Sequence, residues 1–342
     1  VVRPQQDRPF VSVVVPVRNE EAFLGRTLGA LCLQDYPSDA FEILVVDGDS
    51  TDRTLEIARE HARRWPQIQV LSNPRRWSSA ARNIGIRAAR GELVLIVDGH
   101  CELSNQRYLS ELIETFQRTG ADCLGRPQPL DVAGASPLQC AIAAARSSRL
   151  GHHPGSYIYS DREQIVPAHS VAIAYRKELF AEVGLFDEAF DACEDVELNS
   201  RLDAAGKKCV LAPQLEVKYH PRASLRALFQ QMTRYGRGRV RLLRKQPHTY
   251  SFLGFAPALF LLGLVLGPLA GFISASLLWA YVGAVALYAL IVMAVSAQLA
   301  IEQRSFGLLW RAPLVFATLH LGSGWGIVRE VVGLGQVQTV PC

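Results

Sequence analysis

No Asp, Glu, Lys or Arg occurs between Gln246 and Ala300, although charge is dense in the chain up to Lys245. A soluble surface helix keeps one polar face, so this stretch does not read as ordinary surface structure. Two apolar spans fill it, Phe252 to Phe272 and Ser274 to Ala297. At a rise of about 1.5 Å per residue, about 20 residues cross the roughly 30 Å hydrocarbon layer, and both spans are long enough. The expectation is two transmembrane helices within 246–300, with a buried hairpin of a large soluble protein as the alternative.

Acid is missing elsewhere too. From Lys218 to Lys245 the chain carries Lys218, Arg222, Arg226, Arg234, Arg237, Arg239, Arg241, Arg244 and Lys245 with no acidic residue among them, although the formal net charge is only +4. Basic residues just before a span favour the cytoplasmic side and attract anionic lipid headgroups. The large N-terminal domain is therefore expected in the cytoplasm, at the inner (plasma) membrane. The run abuts a span and lacks a recognisable nucleic-acid motif, so no nucleic-acid partner is expected.

Cysteine patterning is equally sparse. Cys32, Cys101, Cys123, Cys140, Cys193, Cys209 and Cys342 are scattered, odd in number and without a C-x-x-C pair, which fits reduced thiols rather than a disulfide framework or zinc site. No G-x-G-x-x-G follows a strand and no G-x-x-x-x-G-K-[ST] occurs, which argues against dinucleotide cofactors and P-loop chemistry. No secretory signal is visible in Val1 to Phe10, so insertion is expected to rely on the C-terminal spans.

Within the first span, Gly263, Gly267 and Gly271 recur every four residues, which suggests a face where a neighbouring helix approaches closely. A third segment, Phe306 to Val332, is interrupted by Arg311, Pro313, His320 and Gly322-Ser323-Gly324-Trp325-Gly326. It spans, re-enters or lies in the interface. Residues 301–342 are thus read as a third membrane-associated or spanning segment with a C-terminal tail.

What is present upstream is an alternation of strands and helices. Val11 to Val15, Phe41 to Val46, Ile68 to Leu71, Leu93 to Val97 and Asp122 to Gly125 read as strands. Helices are expected around Phe23 to Leu31, up to Trp65, over Ser78 to Arg90 and over Gln106 to Thr119, with Ser50 or Thr51 capping the second. This spacing implies an α/β domain with a largely parallel sheet. Arg126 to Ala168, rich in Pro, Gly, Ser and His, reads as loops and short elements flanking a site.

Two strands stop at an aspartate, Asp47 and Asp98. In open α/β sheets ligands bind beyond the carboxyl ends of the strands, so these carboxylates face a crevice and can hold a base, a ribose or a hard cation. Each also fits a turn aspartate. His100 reads as a second ligand, a diphosphate contact or a loop histidine. Arg82 suits phosphate oxygens or solvent. Glu194 and Asp195 open an apolar-periodic helix, where acids favour the helix dipole whatever their function.

The chain resembles the family 2 inverting glycosyltransferases of GT-A (Rossmann-like) fold over Phe10 to Lys245. The resemblance is carried by Val-Val-Val-Pro-Val-Arg-Asn-Glu (13–20), Val-Val-Asp-Gly-Asp-Ser-Thr-Asp (45–52), Ala-Ala-Arg-Asn-Ile-Gly (80–85), Val-Asp-Gly-His (97–100), Cys-Glu-Asp-Val-Glu-Leu (193–198) and Gln-Met-Thr-Arg-Tyr (231–235). Asp-Gly-His and Tyr-Gly-Arg-Gly-Arg (235–239) make it most similar to membrane-bound bacterial exopolysaccharide enzymes, the succinoglycan-type glucosyltransferases. The resemblance implies that 1–245 is a cytoplasmic GT-A domain ending in a basic interfacial segment, 218–245.

It further implies that Asp47 holds the uracil of a UDP-sugar, with Pro16 and Glu20 lining base and ribose. Asp98 touches ribose and Mg²⁺ or Mn²⁺, His100 stands at the second acid of D-x-D, and Asp195 is the general base. Arg82 joins the nucleotide-sugar contacts, Asp49 stays open because Asp-Gly-Asp replaces Asp-Asp-Gly, and Glu194, Gln231, Arg234, Tyr235 and Arg237 serve acceptor or diphosphate. The function implied is transfer of one sugar to a polyprenyl-diphosphate-linked acceptor during surface-polysaccharide assembly, beside membrane lipids and other assembly proteins. A processive polysaccharide synthase and a non-catalytic nucleotide-sugar-binding scaffold are the alternatives.

Overall fold

The computed structural model describes residues 8–333 except Ser104 and Pro154; the expected C-terminal tail beyond 333, with Cys342, and the polar start 1–7 lie outside the described residues. The chain forms two compact units, one of residues 1–129 and 156–219, the other of 130–155 and 220–342.

In the first unit the chain runs β1 (Val11–Val17), α1 (Leu24–Cys32), β2 (Phe41–Asp47), α2 (Thr54–Arg64), β3 (Ile68–Ser72), α3 (Ser78–Ala88), β4 (Leu93–Ile96), β5 (Glu102–Leu103), α4 (Tyr108–Thr119) and β6 (Cys123–Gly125). After α5 (Pro137–Ser147), which belongs to the second unit, it returns through β7 (Gln164–Ile165), α6 (Ala168–Val171), β8 (Ala172–Arg176), α7 (Leu179–Val183), α8 (Glu194–Ala204), β9 (Cys209–Leu211) and β10 (Val217–Lys218).

Eight strands form one sheet in the order β3-β2-β1-β4-β8-β6-β9-β7. The sheet is mixed rather than largely parallel. β8 is antiparallel to both β4 and β6, and β7 is antiparallel to β9. β1 and β2 are buried along their whole length, as expected of strands covered on both faces. The period of two sorts their side chains. Val13, Val15, Ile43, Val45 and Leu95 pack with Leu24, Leu28, Leu109 and Phe116 of α1 and α4, while Val14, Leu44, Val46, Val94 and Ile96 pack with Ile86 of α3 and Leu198 and Leu202 of α8.

Two local expectations are corrected. The start of α2 is not capped by Ser50 or Thr51; Asp52 Oδ1 accepts from the Thr54 backbone N–H at 3.0 Å. Segment 126–168 is not all loop. It contains α5, started by a capping box in which Ser136 Oγ accepts from Gln139 N and Gln139 Oε1 accepts from Ser136 N. The Ser-Pro-Leu-Gln signature was present in the sequence but hidden among turn residues.

The second unit adds α9 (Leu225–Lys245), α10 (Phe252–Leu266), α11 (Ala275–Glu302) and α12 (Leu308–Val331). Phe252–Phe272 and Ala275–Glu302 are long and apolar enough to cross a membrane, with mean hydropathies of 2.1 and 2.2. The Gly263, Gly267, Gly271 stripe is not one continuous α-helical face. The α-helix tightens into a 3₁₀ turn over Gly267–Phe272, starting at Gly267-Pro268; a Cβ at Gly267 would run into the Tyr281 ring of α11. Segment 306–332 is one helix, α12, continuous through its glycine run. Those glycines are contact points: Gly322 and Gly326 admit the backbone of α9, Gly324 that of α10 at Pro257, and Gly236 of α9 admits α12 in return.

Candidate active site

Asp47 is the last residue of β2 and 5 % exposed. One carboxylate oxygen accepts from the Ser50 N–H at 3.3 Å; the other, Oδ1, is buried with no hydrogen-bond partner. Buried carboxylate oxygens are almost always bonded, so the unfilled one at this strand end stands out as an open acceptor. Asp49, next but one, is exposed in the left-handed conformation (φ 58°) and ion-pairs with Arg76. Pro16 is buried within β1, beside Val46 of β2.

Asp98 lies two residues beyond β4, held by a tight turn. Cys101 N–H bonds Asp98 O at 3.0 Å, and Thr27 Oγ1 donates to the carbonyls of Gly99 and Cys101. Its carboxylate meets Arg82 Nη2 on Oδ1 at 3.4 Å, and Tyr219 donates its hydroxyl to Oδ2 at 2.8 Å. Burial works against this charge, but Arg82, His100 and the Tyr219 hydroxyl hold the carboxyl below its usual range.

Arg82 connects this aspartate to the downstream acids. Its Nη1 is 3.2 Å from Glu194 Oε1, and its guanidinium lies over the Phe186 ring at 5.3 Å. Burial disfavours the guanidinium charge, yet Glu194 and Asp98 hold it protonated, and Nε remains buried without an acceptor. The neighbouring Asn83 has a different task. It donates to Phe186 O and Glu188 Oε1 and accepts from Phe186 N, pinning the loop that leads to the acids.

Glu194 and Asp195 open α8 behind Cys193, which is left-handed at φ 64°. That turn sends the two carboxylates apart: Glu194 is 8 % exposed, whereas Asp195 faces solvent. Burial pushes the Glu194 carboxyl above its usual range, Arg82 opposes the shift and Asp195 adds to it.

His100 Nδ1 lies 2.9 Å from Glu20 Oε1, so Glu20 meets the imidazole, and its ring stands edge-on to Tyr219 at 5.3 Å. Sequence reasoning missed Tyr219. It is placed by the antiparallel pairing of β10 with β5, which lays the chain before Tyr219 beside the chain after Asp98. Two-residue strands carry no readable period, so only a tyrosine next to the basic run was there to see.

The structure thus brings together Glu20, Arg82, Asp98, His100 and Glu194. Gln231, Arg234, Tyr235 and Arg237 lie on α9 of the second unit, where Gln231 Nε2 donates to the Tyr235 hydroxyl at 3.2 Å and Arg237 Nε to Glu330 Oε2 at 3.0 Å. Glu330 of α12 also accepts from Arg241 Nε at 2.9 Å. Among the described residues no three His, Cys, Asp or Glu side chains form a metal cluster.

Comparison with known proteins gives one consistent answer. Glycosyl transferase family 2 matches residues 12–183, and Glycosyl transferase family group 2 matches 107–297. The chain is 31 % identical over 324 residues to Succinoglycan biosynthesis protein ExoA of Rhizobium meliloti (strain 1021), covering 94 % of each. It is 28 % identical over 246 residues to the dolichyl N-acetyl-alpha-D-glucosaminyl phosphate 3-beta-D-2,3-diacetamido-2,3-dideoxy-beta-D-glucuronosyltransferase of Methanococcus voltae, covering 69 % of this chain and 74 % of that one. Mannosyltransferase PcManGT from Pyrobaculum calidifontis, solved with GDP-Man and Mn²⁺, superposes with a TM-score of 0.60 at 21 % identity over 95 % of this chain and 88 % of that one, which shows the GT-A fold. This chain is a glycosyltransferase and belongs to glycosyl transferase family 2.

Proposed function

We propose that the protein transfers a sugar, with inversion, from a UDP-sugar to a lipid-linked saccharide in bacterial surface-polysaccharide assembly. The observation that carries the donor is the unfilled Oδ1 of Asp47. With Oδ2 already bonded to Ser50, Asp47 offers one open acceptor, which matches the single N3–H of uracil better than the paired donors of guanine. Glu20, Arg82 and Asp98 then line ribose and diphosphate. Asp195 takes the proton of the acceptor hydroxyl as its oxygen attacks the anomeric carbon; the bond to the diphosphate oxygen breaks and its electron pair leaves with UDP.

The donor set fits a divalent cation in a limited way. Asp98 supplies a carboxylate and His100 an imidazole whose Nδ1 is engaged by Glu20, the arrangement that orients a metal-ligating histidine. Asp98 and His100 would hold the cation together with diphosphate oxygens of the donor, and a mixed nitrogen and oxygen set would suit Mn²⁺ better than Mg²⁺. When bound, the cation neutralises charge on the leaving diphosphate.

Similarity to the succinoglycan protein along nearly the whole chain, two apolar helices and the acid-free run 218–245 support a lipid-tethered acceptor, a membrane location and a cytoplasmic catalytic domain of 1–245. Glu194, Gln231, Arg234, Tyr235 and Arg237 are proposed to serve acceptor or diphosphate. The test is a transfer assay of the detergent-purified chain, with UDP- and GDP-sugars offered to a polyprenyl-diphosphate saccharide in Mn²⁺, Mg²⁺ or chelator. Product from UDP-sugars is expected, most with Mn²⁺; turnover of GDP-sugars alone would reject the uracil assignment.

A further inference from the structure

Arg126 is the first residue after β6. Because β4 and β6 are both antiparallel to β8, they run in the same direction, so Arg126 emerges at the carboxyl edge that also carries Asp47 and Asp98. Its side chain nevertheless turns inward and is only 1 % exposed. Nη1 donates to the Tyr108 hydroxyl at 2.9 Å, Nη2 reaches Cys101 Sγ at 3.8 Å, and Nε has no partner. Among the described residues no carboxylate forms an ion pair with it.

A buried guanidinium without a bonded anion is costly, and a fold that keeps one gains the positive field that it projects. Here the field reaches known groups. Arg126 is among the charges that lower the Asp98 carboxyl, after Arg82 and His100, and Tyr219 donates its hydroxyl to the same carboxylate. Cys101 closes the turn that begins at Asp98, so Arg126 touches the end of the segment that starts at this aspartate.

We propose that Arg126 is a positioning residue of the donor site, a buried cation behind Asp98 and Tyr219 that favours the anionic diphosphate of a nucleotide over an uncharged nucleoside. The proposal rests on the nucleotide-sugar reading of the site. A bound diphosphate would add counter-charge to that of Asp98, which acts on Arg126 without bonding it. Because the guanidinium is buried, salt screens it weakly.

The experiment is calorimetric binding of UDP and of uridine to the detergent-purified full chain and to Arg126→Met and Arg126→Lys. Arg126→Met is expected to weaken UDP about tenfold and leave uridine unchanged, with Arg126→Lys close to wild type for both. An unchanged UDP affinity in folded Arg126→Met overturns the proposal. So does equal weakening of UDP and uridine, which is the mark of a purely structural residue. Where Arg126→Met does not fold, Arg126→Gln, which offers an amide to Tyr108, is read by the same two ligands. Should wild type bind GDP and not UDP, the uracil assignment fails while GDP against guanosine still decides the role of Arg126.

Discussion

Glu330 in the second unit and Asp47 in the first are both buried carboxylates, 8 % and 5 % exposed. Glu330 accepts from Arg237 and Arg241, while Arg244 bonds its backbone carbonyl at 3.0 Å; charge there ties α9 to α12. Asp47 keeps an oxygen open, and two buried guanidinium Nε atoms in the same unit, Arg82 and Arg126, also lack partners. The second unit also leaves atoms unfilled, Gln231 Oε1 and Gln246 Oε1, but these are neutral amides; among the described residues the charged groups with an unfilled buried atom are Asp47, Arg82 and Arg126, all in the first unit.

The contrast can be broken at four points, each with a different readout. Asp195→Asn is expected to cut sugar transfer by about 10²–10⁴ while leaving UDP affinity near wild type, checked by transfer rate and calorimetry. Transfer at the wild-type rate would remove Asp195 from the base role. Glu330→Gln removes the carboxylate between α9 and α12 and is expected to lower stability by about 3 kcal/mol, read by denaturation in detergent, with UDP affinity retained. If stability is unchanged and UDP affinity falls, the division between a packing charge and a ligand-binding charge is wrong.

Asp47→Asn replaces the open acceptor with an amide and is expected to weaken UDP binding about 10–100-fold with little change in unfolding, because nothing in the folded chain bonds Oδ1. The smallest effect concerns Asp203, far along α8 from the acids. Burial works against its charge, but His169 Nδ1 at 2.5 Å and the backbone N–H groups of His169 and Ala168 hold its carboxyl below the usual range. A depressed carboxyl adds stability that is fully present above its unfolded value, about 3.9, and is lost as pH falls through the folded value. Asp203→Asn is expected to cost about 1 kcal/mol near neutrality and nothing at the acid end, measured by melting from pH 3 to 7.

Much of this arrangement was legible in the residues. Short apolar runs bounded by turn residues, helix spacing and turn chemistry placed β1, β2, β3 and β4 and the helices between them, because those patterns are local. The motif order singled out Asp47, Arg82, Asp98, His100 and the Glu194-Asp195 pair as candidates, and the structure brings Arg82, Asp98, His100 and Glu194 together. The antiparallel β8, the helix α5 and the continuity of α12 were not legible. β8 pairs antiparallel with β4 and β6, and the direction of a strand is not recorded in its own residues; α5 starts inside a turn-rich segment; and the glycines of α12 look like breaks until α9 and α10 lie against them.

The sequence by itself determined the α/β character, the family, the two apolar helices and the acidic and basic residues proposed for a donor site, since these depend on composition, period and motif order. Tertiary structure alone decided what each charge meets: Glu20 on His100, Arg82 between Asp98 and Glu194, Tyr219 on Asp98, and Arg126 buried without a carboxylate. Those pairings join residues from 16 positions apart, Arg82 with Asp98, to 121, Asp98 with Tyr219, and no local pattern records which distant side chain closes on which.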